Sequence, residues 1–398
     1  MSWPTQKLET VADFCLGKML DQKKNRGEPL PYLANVNVRW GEFDLADLRE
    51  MRFEQHELDR YGLKYGDIVM CEGGEPGRCA IWKEQCSSMM IQKALHRIRP
   101  HDCLRSEFLY YFFLHKGRTG HLASLFTGST IKHLPREKLA LVEVPVPPHS
   151  TQDQISSVLS AYDDLIENNR RRIALLEQAA RLLYKEWFVH LRFPGHEHVK
   201  IKNGVPEGWE RTTVEDSASF ISRGITPSYD DEAKGLVINQ KCIRNHMVNL
   251  DLARHQSKQA PPDKLVRCGD VLVNSTGTGT LGRVAQFLFD IEDCTVDSHI
   301  TIIRPAPGVS ACCLGSYFVE MESYIESMGR GATNQTELAR ATLAEMKILN
   351  PTKVLADQYD ECLRPMQQQM VNILRQNEQL VQARDLLLPR LMNGEVAV

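Results

Sequence analysis

The chain repeats itself once, at a spacing of about 204 residues. Trp3 opens one copy and Trp209 the other, followed by Glu9, Ala12, Asp13 and Phe14 in the first and Glu215, Ala218, Ser219 and Phe220 in the second. Gly66-Asp67 leads an apolar strand as Gly269-Asp270 does, and Arg99-Pro100 closes one as Arg304-Pro305 does. Gly128-Ser129-Thr130 sits where Gly331-Ala332-Thr333 recurs. Asp153-Gln154 and Asp357-Gln358 each begin a long helical pattern that reaches a leucine pair, Leu182-Leu183 and Leu386-Leu387. The offsets stay between 203 and 206, so a single alignment accounts for all of them. Solenoid repeats run at roughly 20 to 50 residues, so the duplicated unit here is a whole domain plus a helix. Such a chain offers two similar but non-identical heads with approximate two-fold symmetry, which suits a two-part target.

A chain of 398 residues accommodates two or three domains with their own cores. Its 42% apolar and 25% charged residues are ordinary for a globular protein. The longest apolar run, Phe108 to Leu114, is far short of a membrane span. No basic stretch precedes an apolar one at the N-terminus, and the eleven cysteines show no C-x-x-C spacing. A reduced, cytoplasmic setting is therefore expected, without a membrane, a disulfide framework or a bound metal. Charge does not announce a polyanionic partner. Residues 1–148 hold 21 Lys and Arg against 19 Asp and Glu, while residues 207–350 hold 14 against 19. Phosphate neutralisation supplies much of the affinity of freestanding DNA-binding domains, so if this chain reads DNA, another subunit must supply much of the electrostatic grip.

Each copy opens with about 140 residues of mixed α/β character. Expected strands are Ile68–Cys71, Cys79–Trp82 and Ile91–Ile98 in the first, and Val271–Asn274, Val284–Phe289 and Ile300–Ile303 in the second, separated by glycine-rich turns. A helix is expected near Ser106–His115 and another near Cys313–Met328. Each copy then ends in a long helix with coiled-coil periodicity. Leu159, Tyr162, Ile166, Asn169, Ile173, Leu176, Ala180, Leu183 and Trp187 follow strict 3-4 spacing, as do Leu363, Met366, Met370, Ile373, Asn377, Leu380, Arg384, Leu387 and Leu391. That period, held over four heptads, predicts two helices packed along their lengths. Pro365 should start or bend the second helix, and Pro389 should fray its last turn. In an antiparallel pair the two seam asparagines, Asn169 and Asn377, fall opposite one another and would fix the register. The expected layout is domain 1 over 1–148, helix over 149–190, linker over 191–206, domain 2 over 207–350 and helix over 351–398.

Motifs for chemistry are missing. Gly277-Thr278-Gly279-Thr280-Leu281-Gly282 matches the dinucleotide pattern G-x-G-x-x-G, but Arg283-Val284-Ala285-Gln286-Phe287 follows, alternating like a strand. The fingerprint needs a helix there to aim its N-terminus at a pyrophosphate, so a hairpin loop is the reading. No Walker-type loop occurs, Asn350-Pro351 lacks the Pro-Pro-aromatic continuation of amino-methyltransferases, and no Ser/His/Asp set has a nucleophile elbow. His196 and His198 lie in the linker without a ligand cluster beside them. A single-chain DNA-modifying enzyme would need a domain for which there is neither motif nor length.

Asp164-Leu165-Ile166-Glu167-Asn168-Asn169-Arg170-Arg171-Arg172-Ile173, with Leu176-Glu177 and Ala180 through Phe188, resembles the central helix of type I restriction–modification specificity subunits. Leu387-Leu388-Pro389-Arg390-Leu391-Met392-Asn393-Gly394-Glu395 is similar to that family's C-terminal signature, and Pro206-Glu207-Gly208-Trp209-Glu210 to the opening of its second target-recognition domain. Pro-Glu-Gly is absent before Trp3. The resemblance implies an α/β (mixed α+β) chain with two tandem target-recognition domains in a pseudo-two-fold repeat, joined by two long helices in an antiparallel coiled coil. It further implies a non-catalytic subunit whose domains each read half of a bipartite site in double-stranded DNA, while the helices set the spacer and dock modification subunits, two of them. Those partners would use S-adenosylmethionine, and restriction subunits would use ATP and Mg²⁺; this chain would bind no cofactor and no metal. A coiled-coil adaptor with two protein-binding α/β domains fits the same layout.

Loop residues with hydrogen-bonding side chains beside glycine are the candidates for DNA contact. In the first copy these are Lys23, Lys24, Arg26, Arg78, Lys93, Thr130, Lys132 and His133. In the second they are Arg223, Lys241, Arg244, Asn274, Thr276, Arg283, Arg330, Thr333, Asn334 and Gln335. The Gly-x-Thr loops stand out: they recur at equivalent places while their neighbours differ, Ile131-Lys132 against Asn334-Gln335.

Overall fold

All four residues of the strand Ile68–Cys71 are buried, as are all four of Val271–Asn274. Runs of this kind belong to strands covered on both faces, and each is an interior strand of a four-stranded sheet. The computed structural model describes residues 3–21, 25–277, 279–329 and 336–396. It divides into two compact units, residues 1–167 with 377–398, and residues 168–376.

In the first unit the four-stranded sheet has the order Ala12–Leu16, Leu95–Pro100, Ile68–Cys71, Cys79–Ile81, antiparallel throughout. A second sheet places Glu28–Leu33 between Arg49–Phe53, antiparallel, and Met90–Ile91, parallel. Thr5–Lys7 pairs with Glu143–Pro145, which brings the domain's entry beside its exit. The second unit repeats every one of these orders. Its four-stranded sheet runs Ala218–Arg223, Ile300–Pro305, Val271–Asn274, Val284–Gln286. Its three-stranded sheet places Gly235–Ile238 between Arg254–Gln256 and Cys294–Val296, again one antiparallel and one parallel neighbour. Glu210–Thr213 pairs with Lys347–Asn350.

The repeated Gly-Asp and Arg-Pro markers meet each other. Arg99 clasps Asp67 with Nε and Nη2, both at 2.7 Å, and Arg304 clasps Asp270 the same way at 2.9 and 2.7 Å. Each carboxylate also accepts a backbone N–H three residues upstream, from Lys64 and from Arg267. A buried carboxylate is tolerable only when paired and hydrogen-bonded, so both partners persist in both copies.

The long helices run His149–Tyr184 and Lys353–Met392. The first is fastened at its start by Gln152, which is fully buried, accepts the Arg105 N–H at 2.7 Å and donates to the Pro147 carbonyl at 2.8 Å. Every seam position named above is buried or half-buried. In the first unit Ile155 and Leu159 share a core with Leu388, Leu391 and Met392, beside Phe108 and Leu109 of the helix Ser106–Arg118. Arg384, a polar seam residue, is held by Asp163, whose other oxygen accepts the Tyr111 hydroxyl at 2.8 Å. In the second unit Asn169 donates to Gln376 at 3.3 Å, while fifteen residues on Tyr184 stacks edge-on against Tyr359, so the pair is antiparallel. Asn169 is buried, and its amide partner in this unit is the residue before Asn377. A single π-turn, Lys185–Val189, closes the central helix and turns Trp187 into the aromatic core.

Several expected boundaries move. Ile91–Ile98 is two strands in two sheets, because the turn at Gln92–Ala94, closed by Leu95 N–H to the Gln92 carbonyl, switches the chain between them. The segment Cys79–Trp82 ends at Ile81, and Val284–Phe289 ends at Gln286. Cys313–Met328 is two helices, Ala311–Glu320 and Glu322–Ser327, broken at Met321. Pro365 does not start its helix, which begins twelve residues earlier, and the last turn holds through Pro389 to Met392. Each proline removes an N–H bond and crowds the carbonyl four residues back, and the helix runs on through both, with Leu363, Leu388 and Leu391 buried beside them. Among the described residues no helix is long and apolar enough to cross a membrane.

One contact gives the second unit a pH dependence. His246 lies at the tip of the hairpin Ile243–Arg244/Met247–Val248, with Nδ1 at 2.7 Å from Glu177 of the central helix and Nε2 at 3.4 Å from Glu322. Its bonds to Glu177 and then Glu322 raise its pKa to about 9. An unfolded histidine titrates near 6.5, so the pair stabilises fully below about pH 6.5 and is lost as pH rises through about 9. The effect is on the order of 3 kcal/mol. Unfolding midpoints measured across that window should fall for the native chain relative to a His246→Gln variant; parallel curves would contradict it.

Candidate nucleic-acid interface

In each copy two loops at one end of the four-stranded sheet are tied together by backbone. In the first, Thr127 and His133 exchange both backbone hydrogen bonds at 2.8 Å, leaving Gly128–Lys132 as an exposed hairpin tip. Gly128 holds φ of +93°, and a Cβ there would stand 2.1 Å from the Ile131 carbonyl oxygen, so only glycine closes this turn. Leu134 N–H donates to the Glu72 carbonyl, joining the tip to the turn that follows Ile68–Cys71. His133 Nδ1 lies 3.1 Å from both Glu72 oxygens. In the second copy Leu338 N–H donates to the Ser275 carbonyl and Thr276 bridges to Glu337 in the matching way.

The candidates separate into free and committed side chains. Thr130 and Lys132 are exposed on the first tip; Arg26, Lys93, Lys241 and Arg244 are also exposed. Arg78 is a loop fastener: its side chain is 11% exposed, with Nη1 on Glu75 at 2.6 Å and Nη2 on the Asn35 carbonyl at 2.9 Å. Arg223 is held by Glu337 and the Leu338 carbonyl, and Arg283 by the Gly279 carbonyl. Asn274 is a strand residue with no exposure, donating to the Gln240 carbonyl at 3.1 Å, and so is out of reach of a groove. Thr276 sits on the loop as expected, between Gln240 and His299. Lys23, Lys24, Arg330, Thr333, Asn334 and Gln335 lie outside the described residues.

Asn35, Glu72, Gln240 and His299 belong to these loop ends and were not among the candidates. The signal for Gln240 was its alignment with Asn35, each opening the first short turn after the central strand of a three-stranded sheet. The G-x-G-x-x-G segment links the antiparallel strands Val271–Asn274 and Val284–Gln286, with no helix after it. Among the described residues no three His, Cys, Asp or Glu side chains gather to hold a metal ion.

Comparison with known proteins agrees with this architecture. Residues 3–178 match the family model of the type I restriction modification DNA specificity domain. The chain is 24% identical, over its whole length and 94% of the relative, to the type I restriction enzyme MjaIX specificity subunit of Methanocaldococcus jannaschii. It is 22% identical to the HindI specificity subunit of Haemophilus influenzae, over 84% of this chain and 87% of that one. The crystal structure of a type I S subunit from M. genitalium superposes with a TM-score of 0.56 at 15% identity, covering 98% of this chain and 96% of the other. The domain model lies on residues 3–178, the same sheet orders recur in the second unit, and one relative aligns over the whole chain, so along its length the chain is similar to type I restriction–modification specificity subunits.

Proposed function

We propose that this chain reads a bipartite site in double-stranded DNA, one half with each α/β domain, and that its paired helices set the distance between the halves. The observation that carries this is one scaffold bearing two different loop sets: identical sheet orders and Asp–Arg clasps, but Asn35, Gly73 and His133 in one copy against Gln240, Thr276 and Glu337 in the other. Selection for a stable core alone gives no reason to keep the frame and change the rim. The chain contributes recognition and no catalysis. The two modification subunits it docks would carry S-adenosylmethionine and methylate the DNA, and restriction subunits would use ATP and Mg²⁺. Those partners also supply cationic surface, which the second domain's excess of carboxylates requires.

The spacer claim has a direct test. Adding one heptad to each helix at equivalent seam positions keeps the apolar stripe and lengthens it by about 10 Å at roughly 1.5 Å per residue. On B-DNA that is about three base pairs at about 3.4 Å each. Methylated sites mapped in a host should keep both halves and show the longer gap. Retention of the original gap at full affinity would remove the helices from the measuring role.

A further inference from the structure

We propose that Gln240 and His299 are base-reading side chains of the second domain, and that together they present a hydrogen-bond acceptor beside a donor, the complement of an adenine edge. This rests on the DNA-reading function above and names the residues and the base for one position of the second half-site.

Three strands bring the parts together. Gln240 follows Gly235–Ile238, Thr276 follows Val271–Asn274, and His299 immediately precedes Ile300–Pro305. Gln240 Nε2 donates to Thr276 twice, to its backbone carbonyl and, at 3.0 Å, to its Oγ1. Gly277 makes room for this, since with φ of +102° a Cβ there would stand 2.7 Å from that nitrogen. With Nε2 turned to Thr276, the atom left at the end of the Gln240 side chain is Oε1, an acceptor. Thr276 Oγ1, already accepting from Gln240, has one proton, and His299 Nδ1 lies 2.7 Å away. We assign the hydroxyl as the donor to that nitrogen, which puts the ring's own proton on Nε2, a donor on an exposed side chain.

The backbone beneath is fixed as well. Asn274 Nδ2 holds the Gln240 carbonyl at 3.1 Å, Asp297 Oδ1 accepts the His299 N–H at 2.9 Å, and Ser275 N–H donates to the His299 carbonyl at 2.8 Å. Asn274, unable to reach DNA itself, is thus a positioning residue. In the major groove adenine offers the N7 acceptor beside the N6 amino donor. Guanine offers two acceptors and would set O6 against Gln240 Oε1; thymine offers one acceptor and cytosine one donor. The first domain has Asn35, Gly73 and Ala94 at the matching places, with no hydroxyl and no imidazole, so it lacks this relay.

The test uses the chain with its modification subunits, mapping methylated sites by sequencing host DNA for the native protein and for His299→Ala, Gln240→Ala and Thr276→Val. All three should relax the same single position, an adenine in the half-site assigned to residues 207–350, with selectivity there falling roughly five- to a hundredfold. The other positions should stay as they were. His299 is exposed, so its truncation should leave the melting temperature unchanged. Relaxation at a position that is not adenine, relaxation in the other half, unaltered selectivity, or loss of all methylation with an unchanged melting temperature would each overturn the assignment. Unaltered selectivity would leave the two-domain reading standing, since exchange of the whole domain decides that separately.

Discussion

Replacing Asp270 with alanine should cost the second unit about 3–5 kcal/mol, the penalty for stranding a buried charge. Arg304 is 9% exposed, and three of its bonds depend on the geometry that Asp270 imposes: two to the carboxylate and one, at 2.7 Å, to the Leu265 carbonyl. Without the carboxylate the guanidinium remains among carbonyl oxygens that solvate it only in part. The first copy provides an internal comparison. Asp67 is as deeply placed, but its partner Arg99 has a side chain 29% exposed against 11% for Arg304. Water therefore reaches Arg99 when its partner is lost, and Asp67→Ala should be the milder change. Denaturant unfolding of the two variants orders them directly. An equal loss, or a greater one for Asp67→Ala, would mean that burial of the arginine does not set the cost.

Much of the architecture was legible because it is written twice. A strand pairing in one copy constrains the other, so the markers Gly66-Asp67 with Arg99-Pro100 and Gly269-Asp270 with Arg304-Pro305 pointed to equivalent positions before their ion pairs were visible. The helix seam was legible because 3-4 periodicity survives single polar intrusions such as Asn169 and Arg384, both of which the fold buries with a partner. Boundaries were less so. The break at Met321 and the turn at Gln92–Ala94 are decided by which sheet or core the next residue joins, which local pattern does not encode.

The site was legible only in part, for a specific reason. Exposed cations on a tip, such as Lys132, look the same in sequence as in structure. A polar residue at a strand end does not: Asn274 and Thr276 are two apart, yet one is sealed beneath the loop and the other lies on it. Gln240 and His299 reach Thr276 from 36 and 23 residues away, so their convergence is a property of the sheet order. Arg78 and Arg283 read as DNA contacts by residue type, but both are occupied in holding their own loops closed.

The central claim is that each domain reads its own half-site, and exchange of one domain tests it most directly. Residues 207–350 enter and leave through a single strand pair, Glu210–Thr213 with Lys347–Asn350, so the segment can be replaced with the equivalent domain of a type I specificity subunit without touching the other copy's sheets. The helices, which begin and continue outside the exchanged segment, keep their seam. Because base contacts specify and phosphate contacts only position, new loops on an old frame should change which bases are chosen in that half alone. Methylated positions sequenced in a host carrying the chimera should show one half-site rewritten to that of the donor, with the other half and the spacer unchanged. A chimera that alters both halves, or that methylates the original site, would contradict the account.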